Sequence, residues 1–163
     1  SIGQGFTLAT PLQMALVMSE AANGGKKYRP YLVKDIIAPD GTVIKHFDPV
    51  VERDLNIDPS VISLVQEGLH EVSTVGTAAA MFKDFPVPIA GKTGTAENSH
   101  GREHGWFVAY GPFDNPNIAV AVIVENAGYG ATSAVPIGYK ILSAAFGLDK
   151  PKTPENQPAP AQQ

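Results

Sequence analysis

A lysine, two threonines and a glycine occupy consecutive positions inside a β-prone run, Ile89-Ala90-Gly91-Lys92-Thr93-Gly94-Thr95-Ala96-Glu97. Thr93 and Thr95 are two positions apart, so on a strand their hydroxyls leave the same face. Lys92 then leaves the opposite face unless the strand twists or lies at an edge. Gly94 removes a side chain where another backbone or a ligand must come close. At the edge of a sheet, such a strand can pair with an extended peptide while an ammonium and two hydroxyls hold that peptide's carboxylate. The alternative is an ordinary strand with a surface lysine and surface threonines.

Other chemistries find less support. The chain has no cysteine, which excludes disulfides, thiolate metal sites and a cysteine nucleophile. His100 and His104 have a spacing that binds metals on a helix, but they lie in a glycine-containing stretch between two strand candidates. That stretch reads as a solvated hairpin loop, and neither a metal nor a cofactor is expected. His46 and His70 read as surface or hydrogen-bonded histidines, Glu97 as a solvated strand-end charge, and Glu52-Arg53-Asp54 as a solvated loop. Trp106, at the start of the next strand, reads first as core and second as a cleft-lining residue, because the neighbouring strand carries Lys92.

The elements that must position these residues follow from local signals. Thr10-Pro11-Leu12-Gln13 is a capping box with proline in the first helical position, and Asn23-Gly24-Gly25 ends that helix. Tyr31 to Ile37 and Thr42 to Phe47 predict a hairpin around Ala38-Pro39-Asp40-Gly41. Asp58-Pro59 opens a second helix with Val61, Ile62, Val65 and Leu69 on one face, and residues 76–81 suggest a short third. Pro88 to Glu97, Gly105 to Tyr110 and Asn117 to Glu125 predict three strands, the last apolar enough for burial on both faces. A closing helix is expected over Thr132 to Phe146, preceded by a flexible Gly128-Tyr129-Gly130 connection. The short links between strands favour antiparallel pairing, giving an α+β fold in which helices cover an antiparallel sheet. Hydrophobic residues make up 44% of the 163 and charged residues 17%, which supports a packed core. A net charge of -4 without a basic block leaves no footprint for nucleic acid, and no apolar run is long enough to span a bilayer.

Lys92-Thr93-Gly94 is the K-T-G box of penicillin-interacting serine acyl-enzymes. Around it stand Ser1-Ile2-Gly3-Gln4-Gly5, Thr10-Pro11-Leu12-Gln13-Met14-Ala15, Asn23-Gly24-Gly25, Gly76-Thr77-Ala78 and Trp106-Phe107-Val108-Ala109-Tyr110, in family order. The chain resembles the C-terminal half of the transpeptidase domain of class B penicillin-binding proteins, nearest the elongation-type penicillin-binding protein 2 subgroup. The resemblance runs from Ser1 to about Gly147, with residues 1–148 as domain and the Pro/Gln-rich 149–163 as a disordered tail. It implies the penicillin-binding protein and serine β-lactamase-like fold. It also implies D,D-transpeptidation of peptidoglycan stem peptides through a serine acyl-enzyme that β-lactams inhibit. By the same resemblance Lys92, Thr93, Gly94 and Thr95 form one wall of the catalytic cleft. Lys92 supplies positive potential and supports the S-x-N serine, Thr93 and Thr95 bind the carboxylate of donor peptide or β-lactam, and the Thr95 N–H is half of an oxyanion hole. Trp106 and Tyr129 are further substrate-contact candidates.

The family's S-x-x-K nucleophile motif is absent: none of Ser1, Ser19, Ser60, Ser63, Ser73, Ser99, Ser133 and Ser143 has lysine three residues on. S-x-N and Gly-x-Ser-x-Gly are absent as well. The expectation is therefore that the nucleophile and the rest of the domain lie upstream of Ser1, and that this chain alone is not acylated. The implied partners are stem peptides, β-lactams, that upstream sequence and a glycosyltransferase of the elongation machinery. The implied location is the bacterial cell envelope, on the periplasmic or extracytoplasmic face of the cytoplasmic membrane, with the anchor outside this chain. A β-lactam or muropeptide sensor domain and a non-catalytic fragment are the competing readings, and a D,D-carboxypeptidase shares the same acyl-enzyme.

Overall fold

Two helix starts behave as their sequences dictate. In the computed structural model, which describes residues 4–5 and 7–149, α1 spans Pro11–Ala22. The Thr10 hydroxyl accepts the Gln13 N–H at 3.2 Å, and the Gln13 carboxamide accepts the Thr10 N–H at 2.8 Å. The helix stops at Asn23, whose side chain pairs with both backbone groups of Lys26, and Gly24 follows at φ +84°. Helix α2 spans Pro59–Thr74, with the Asp58 carboxylate accepting from the Ser60 hydroxyl and N–H. Those bonds hold the Asp58 carboxyl below its usual range.

Strands β5 (Ala90–Ala96), β6 (His104–Gly111) and β7 (Ile118–Val124) form an antiparallel sheet in that order. The register aligns Lys92 with Val108 and Ala121, and Thr93 with Phe107 and Val122. Side-chain alternation then sends Phe107, Ala109, Val120 and Val122 to one face, where they meet Ala134, Val135 and Leu142 of α4 (Gly130–Ala145). Phe82 of α3 (Ala79–Phe82) stacks on Phe107 at 5.6 Å between ring centroids. The other face carries Ala90, Val108 and Tyr110 against Met18 of α1, with Leu69 of α2 alongside. Burial on both faces is why 118–124 reads as an unbroken apolar run. Helix α4 crosses directly over Phe107 at Gly138, where a Cβ would lie 2.4 Å from the Phe107 ring.

Several expectations need correction. Glu52-Arg53-Asp54 is not a loop: β4 (Val51–Asp54) pairs antiparallel with β1 (Lys26–Tyr28). Glu52 there accepts from Arg29 at 3.2 Å and meets Lys27 at 3.3 Å, and these bonds lower its pKa. The pairing joins segments distant in sequence and shows no apolar alternation, so local pattern could not reveal it. The expected hairpin forms, but its strands shrink to β2 (Asp35–Ile37) and β3 (Val43–His46). Helix α4 starts at Gly130, two residues early, because the Tyr129 carbonyl accepts from the Thr132 and Ser133 N–H groups and from both hydroxyls. Gly128-Tyr129-Gly130 is thus a cap rather than a flexible link. The expected disorder of 149–163 falls, from residue 150 on, outside the described residues.

Tyr110 is 1% exposed, and its hydroxyl has no hydrogen-bond partner among the described residues. Burial raises its pKa from the usual 10.0 to about 12. The folded state thus favours the neutral phenol. Its contribution to stability is full below about pH 10 and is lost as pH rises towards about 12. Tyr110→Phe is expected to stabilise the fold by about 1 kcal/mol and to flatten this alkaline loss. Denaturant unfolding of both proteins at about pH 8 and about pH 11 checks it.

Candidate active-site wall

Strand β5 lies at the edge of the sheet, and its start is fixed by α2. The Ile89 carbonyl accepts from His70 Nδ1 at 2.7 Å and from the Ser73 hydroxyl at 2.7 Å. A carbonyl only accepts, so Nδ1 carries the proton in this bond. The His70 ring also stacks on Phe113 at 4.4 Å. The strand is thus clamped three residues before Lys92.

Lys92 pairs across the sheet with Val108 and leaves the α1-facing side, opposite to Thr93. Its exposed side chain nevertheless turns back around the edge, and Nζ donates to the Thr93 carbonyl at 2.7 Å. The ammonium therefore joins the two half-buried threonines at the open margin of β5 despite starting on the other face. The Thr93 hydroxyl lies 2.7 Å from the Thr77 hydroxyl, on the turn between α2 and α3. Beyond it the Gln4 carboxamide lies along the same edge, donating to the Thr95 carbonyl at 2.8 Å and accepting the Glu97 N–H at 3.2 Å. Gln4 thus acts as a peptide unit of a neighbouring strand would. Both backbone groups of a strand residue point to the same side, so the Thr95 N–H also faces this edge. Past Gln4 the edge opens into a polar depression of about 590 Å³, bounded by Glu97, Asn98 and Glu103.

Gly94 stands opposite Trp106, where an added Cβ would lie 3.2 Å from the Trp106 Cβ. Trp106 is half-buried and belongs to neither core cluster, so the core reading does not hold. Tyr129 is 70% exposed, while Gly130 beside it touches the strand backbone. A Cβ on Gly130 would sit 2.3 Å from the Gly94 carbonyl oxygen and 2.2 Å from that of Trp106. The first turn of α4 therefore displays Tyr129 next to the Gly94–Trp106 pair.

His100 and His104 have separate partners: His100 Nδ1 meets the Ser99 hydroxyl at 2.9 Å, and His104 Nδ1 accepts the Asn126 N–H at 2.9 Å. Two site residues had no role assigned from sequence, Gln4 and Thr77. Both sit in short motifs noticed there, but their bonds to β5 join residues 91 and 16 positions apart, beyond any local pattern.

The seam between α4 and the strands yields a prediction. Gly130→Ala forces a methyl group into two carbonyl oxygens and is expected to destabilise by roughly 3 kcal/mol. In the 163-residue chain by itself, Gly68→Ala, on an exposed stretch of α2 with nothing within 4 Å of the new methyl, is expected to stabilise by roughly 0.5–1 kcal/mol. Melting temperatures of the two variants should move in opposite directions.

The family model for the penicillin binding protein transpeptidase domain matches residues 1–143. The peptidoglycan D,D-transpeptidase MrdA of Haemophilus influenzae is 35% identical over 182 residues, covering 99% of this chain and 27% of that protein. The chain thus spans under a third of this relative's length. Penicillin-binding protein A from M. tuberculosis, solved as an imipenem acyl-enzyme complex, matches with a TM-score of 0.77 at 36% identity. That match covers 89% of this chain and 32% of the solved one. A peptidoglycan synthase complex, described for coordination of polymerization and crosslinking, matches at TM-score 0.79 and 37% identity, covering 94% and 26% respectively. With the sheet, its helical layers and the β5 edge in place, these matches settle the family: the chain belongs to the transpeptidase domain of the penicillin-binding proteins, alongside the peptidoglycan D,D-transpeptidases of the penicillin-binding protein 2 type.

Proposed function

We propose that this chain supplies the carboxylate-binding wall of a peptidoglycan D,D-transpeptidase. The observation that carries this reading is the return of Lys92 Nζ around the strand edge, beside Thr93 and Thr95. An extended peptide added to β5 meets backbone donors and acceptors along its length. Its terminal carboxylate meets an ammonium and two hydroxyls, the charge-assisted contacts that bind such groups most strongly. Trp106 and Tyr129 flank the same stretch.

The reaction has two steps. A serine hydroxyl attacks the carbonyl of the D-Ala-D-Ala bond, loses its proton to a base, forms an ester and expels the terminal D-Ala as an amine. An amine of a second stem peptide then attacks the ester, forms the cross-link and returns the proton to the serine. Here the Thr95 N–H, turned to the open edge, is one donor to the oxyanion of each tetrahedral intermediate. Loss of one such donor typically costs ~10² to 10³ in turnover. The serine with its S-x-x-K lysine, and the S-x-N motif, come from polypeptide outside this chain, since no serine here carries either spacing. Support for a covering partner comes from α2, which exposes Val61, Leu64 and Val65, and from Leu8 at 92% and Leu12 at 58% exposure. We infer that the rest of the transpeptidase domain covers this apolar surface. β-Lactams are the proposed inhibitors, a glycosyltransferase the proposed assembly partner, and the extracytoplasmic side of the bacterial cytoplasmic membrane the proposed location. The acyl-enzyme relative supports the first of these assignments and the synthase-complex relative the second.

Two outcomes test the proposal. In the longer protein carrying this chain, Lys92→Ala should slow acylation by penicillin roughly 10- to 100-fold, the worth of a hydrogen bond to a charged group. Its melting temperature should stay unchanged, because the side chain is exposed. Unchanged acylation removes Lys92 from the site. The 163-residue chain by itself should not be labelled by fluorescent penicillin, and stable labelling would place the nucleophile within it.

A further inference from the structure

Thr77 lies outside β5 and outside every role assigned above, yet its hydroxyl is 2.7 Å from that of Thr93. Its place is rigid. The turn that carries it closes over the end of α2 through Val75 N–H and Gly76 N–H to the Glu71 carbonyl, and Ala78 N–H to the Val72 carbonyl. A Cβ on Gly76 would sit 2.8 Å from Val72 Cα, so the turn lies against α2 as closely as only glycine permits. Ala78, the next residue, is 1% exposed and packed in the core that α4 covers. Thr77 itself is exposed, so its side chain does not fill that core. What the turn delivers at this point is a hydroxyl.

A hydroxyl has one proton and two acceptor lone pairs. Of the two protons shared by Thr77 and Thr93, one lies between the oxygens. If Thr93 donates it, Thr93 has only lone pairs left for an approaching carboxylate. If Thr77 donates it, the Thr93 proton is free to point at the anion, and the first bond polarises the second. Thr93 is β-branched and stiff about χ1, so a fixed partner for its oxygen also fixes where that oxygen sits. We propose that Thr77 is a positioning residue for the substrate carboxylate: it donates to Thr93, which donates to the carboxylate in turn. This rests on the reading of β5 as a carboxylate-binding wall.

The test uses the longer protein and two probes, benzylpenicillin and its methyl ester, which differ in the anion the relay serves. Thr77→Val keeps the shape and removes the hydroxyl, and Thr77→Ser keeps the hydroxyl. Thr77→Val should slow acylation by benzylpenicillin about 10-fold and leave the slower reaction of the ester within about twofold. Thr77→Ser should return the acid's rate to within about threefold of wild type. A Thr77→Val protein that treats the acid as wild type does overturns the proposal, while wild-type acylation keeps the transpeptidase reading intact. Equal slowing of acid and ester, with a lowered melting temperature, also overturns it and leaves Thr77 a structural tie. A wild-type protein that neither probe acylates overturns the transpeptidase reading, and this inference with it.

Discussion

Strand β6 is buried on both of its faces, and the geometry of the site descends from that constraint. Phe107 and Ala109 project into the core beneath α4, Val108 and Tyr110 into the core beneath α1. A slip of one residue would exchange the two sets, sending Phe107 towards Met18 and Val108 towards Leu142. Because Thr93 pairs with Phe107 and Lys92 with Val108, the same packing decides which way every side chain on β5 points. Lys92, Thr93 and Thr95 belong to neither core cluster themselves. Their placement is inherited across the ladder from aromatic and aliphatic residues buried in the two cores.

An open strand edge is a hazard, since it invites pairing with any extended chain. Here the edge of β5 is partly occupied from within. Lys92 takes the Thr93 carbonyl, and Gln4 takes the Thr95 carbonyl and the Glu97 N–H. Side-chain groups satisfy polar atoms that a neighbouring strand would otherwise satisfy. A flexible ammonium and a single carboxamide yield to a better partner more readily than a paired strand does. Edge protection and the proposed capture of a peptide would thus use the same atoms.

The pattern of what sequence revealed has a physical basis. The capping box at Thr10 and the Asp58 cap join residues three or fewer positions apart, so type and spacing were enough. The three strands of the main sheet were legible because two-sided burial demands apolar residues at nearly every position. The opposed directions of Lys92 and Thr93 followed from strand periodicity, but the turn of Lys92 back over the edge depends on a carbonyl beyond the reach of that rule. The β1–β4 pair escaped because its strands are short, polar and joined by a long excursion. Trp106 reads first as core because aromatic residues on strands usually are. Opposite Gly94 it meets no side chain on β5. Gln4 and Thr77 drew notice only as members of short motifs, since their partners become neighbours only once the chain has folded.

The contact of Gly105 and Gly130 divides this region into positions with no room for a side chain and positions that display one. At Gly105 an added Cβ would fall 2.0 Å from the Ser133 hydroxyl oxygen, and at Gly130 it would strike two backbone carbonyls. There the helix meets the sheet main chain to main chain, so neither position can be adjusted in small steps. The neighbours that display side chains are Tyr129, the cap of α4, and Trp106 on β6. Substitution at either glycine therefore moves main chain, whereas substitution at Tyr129 or Trp106 alters only a displayed side chain.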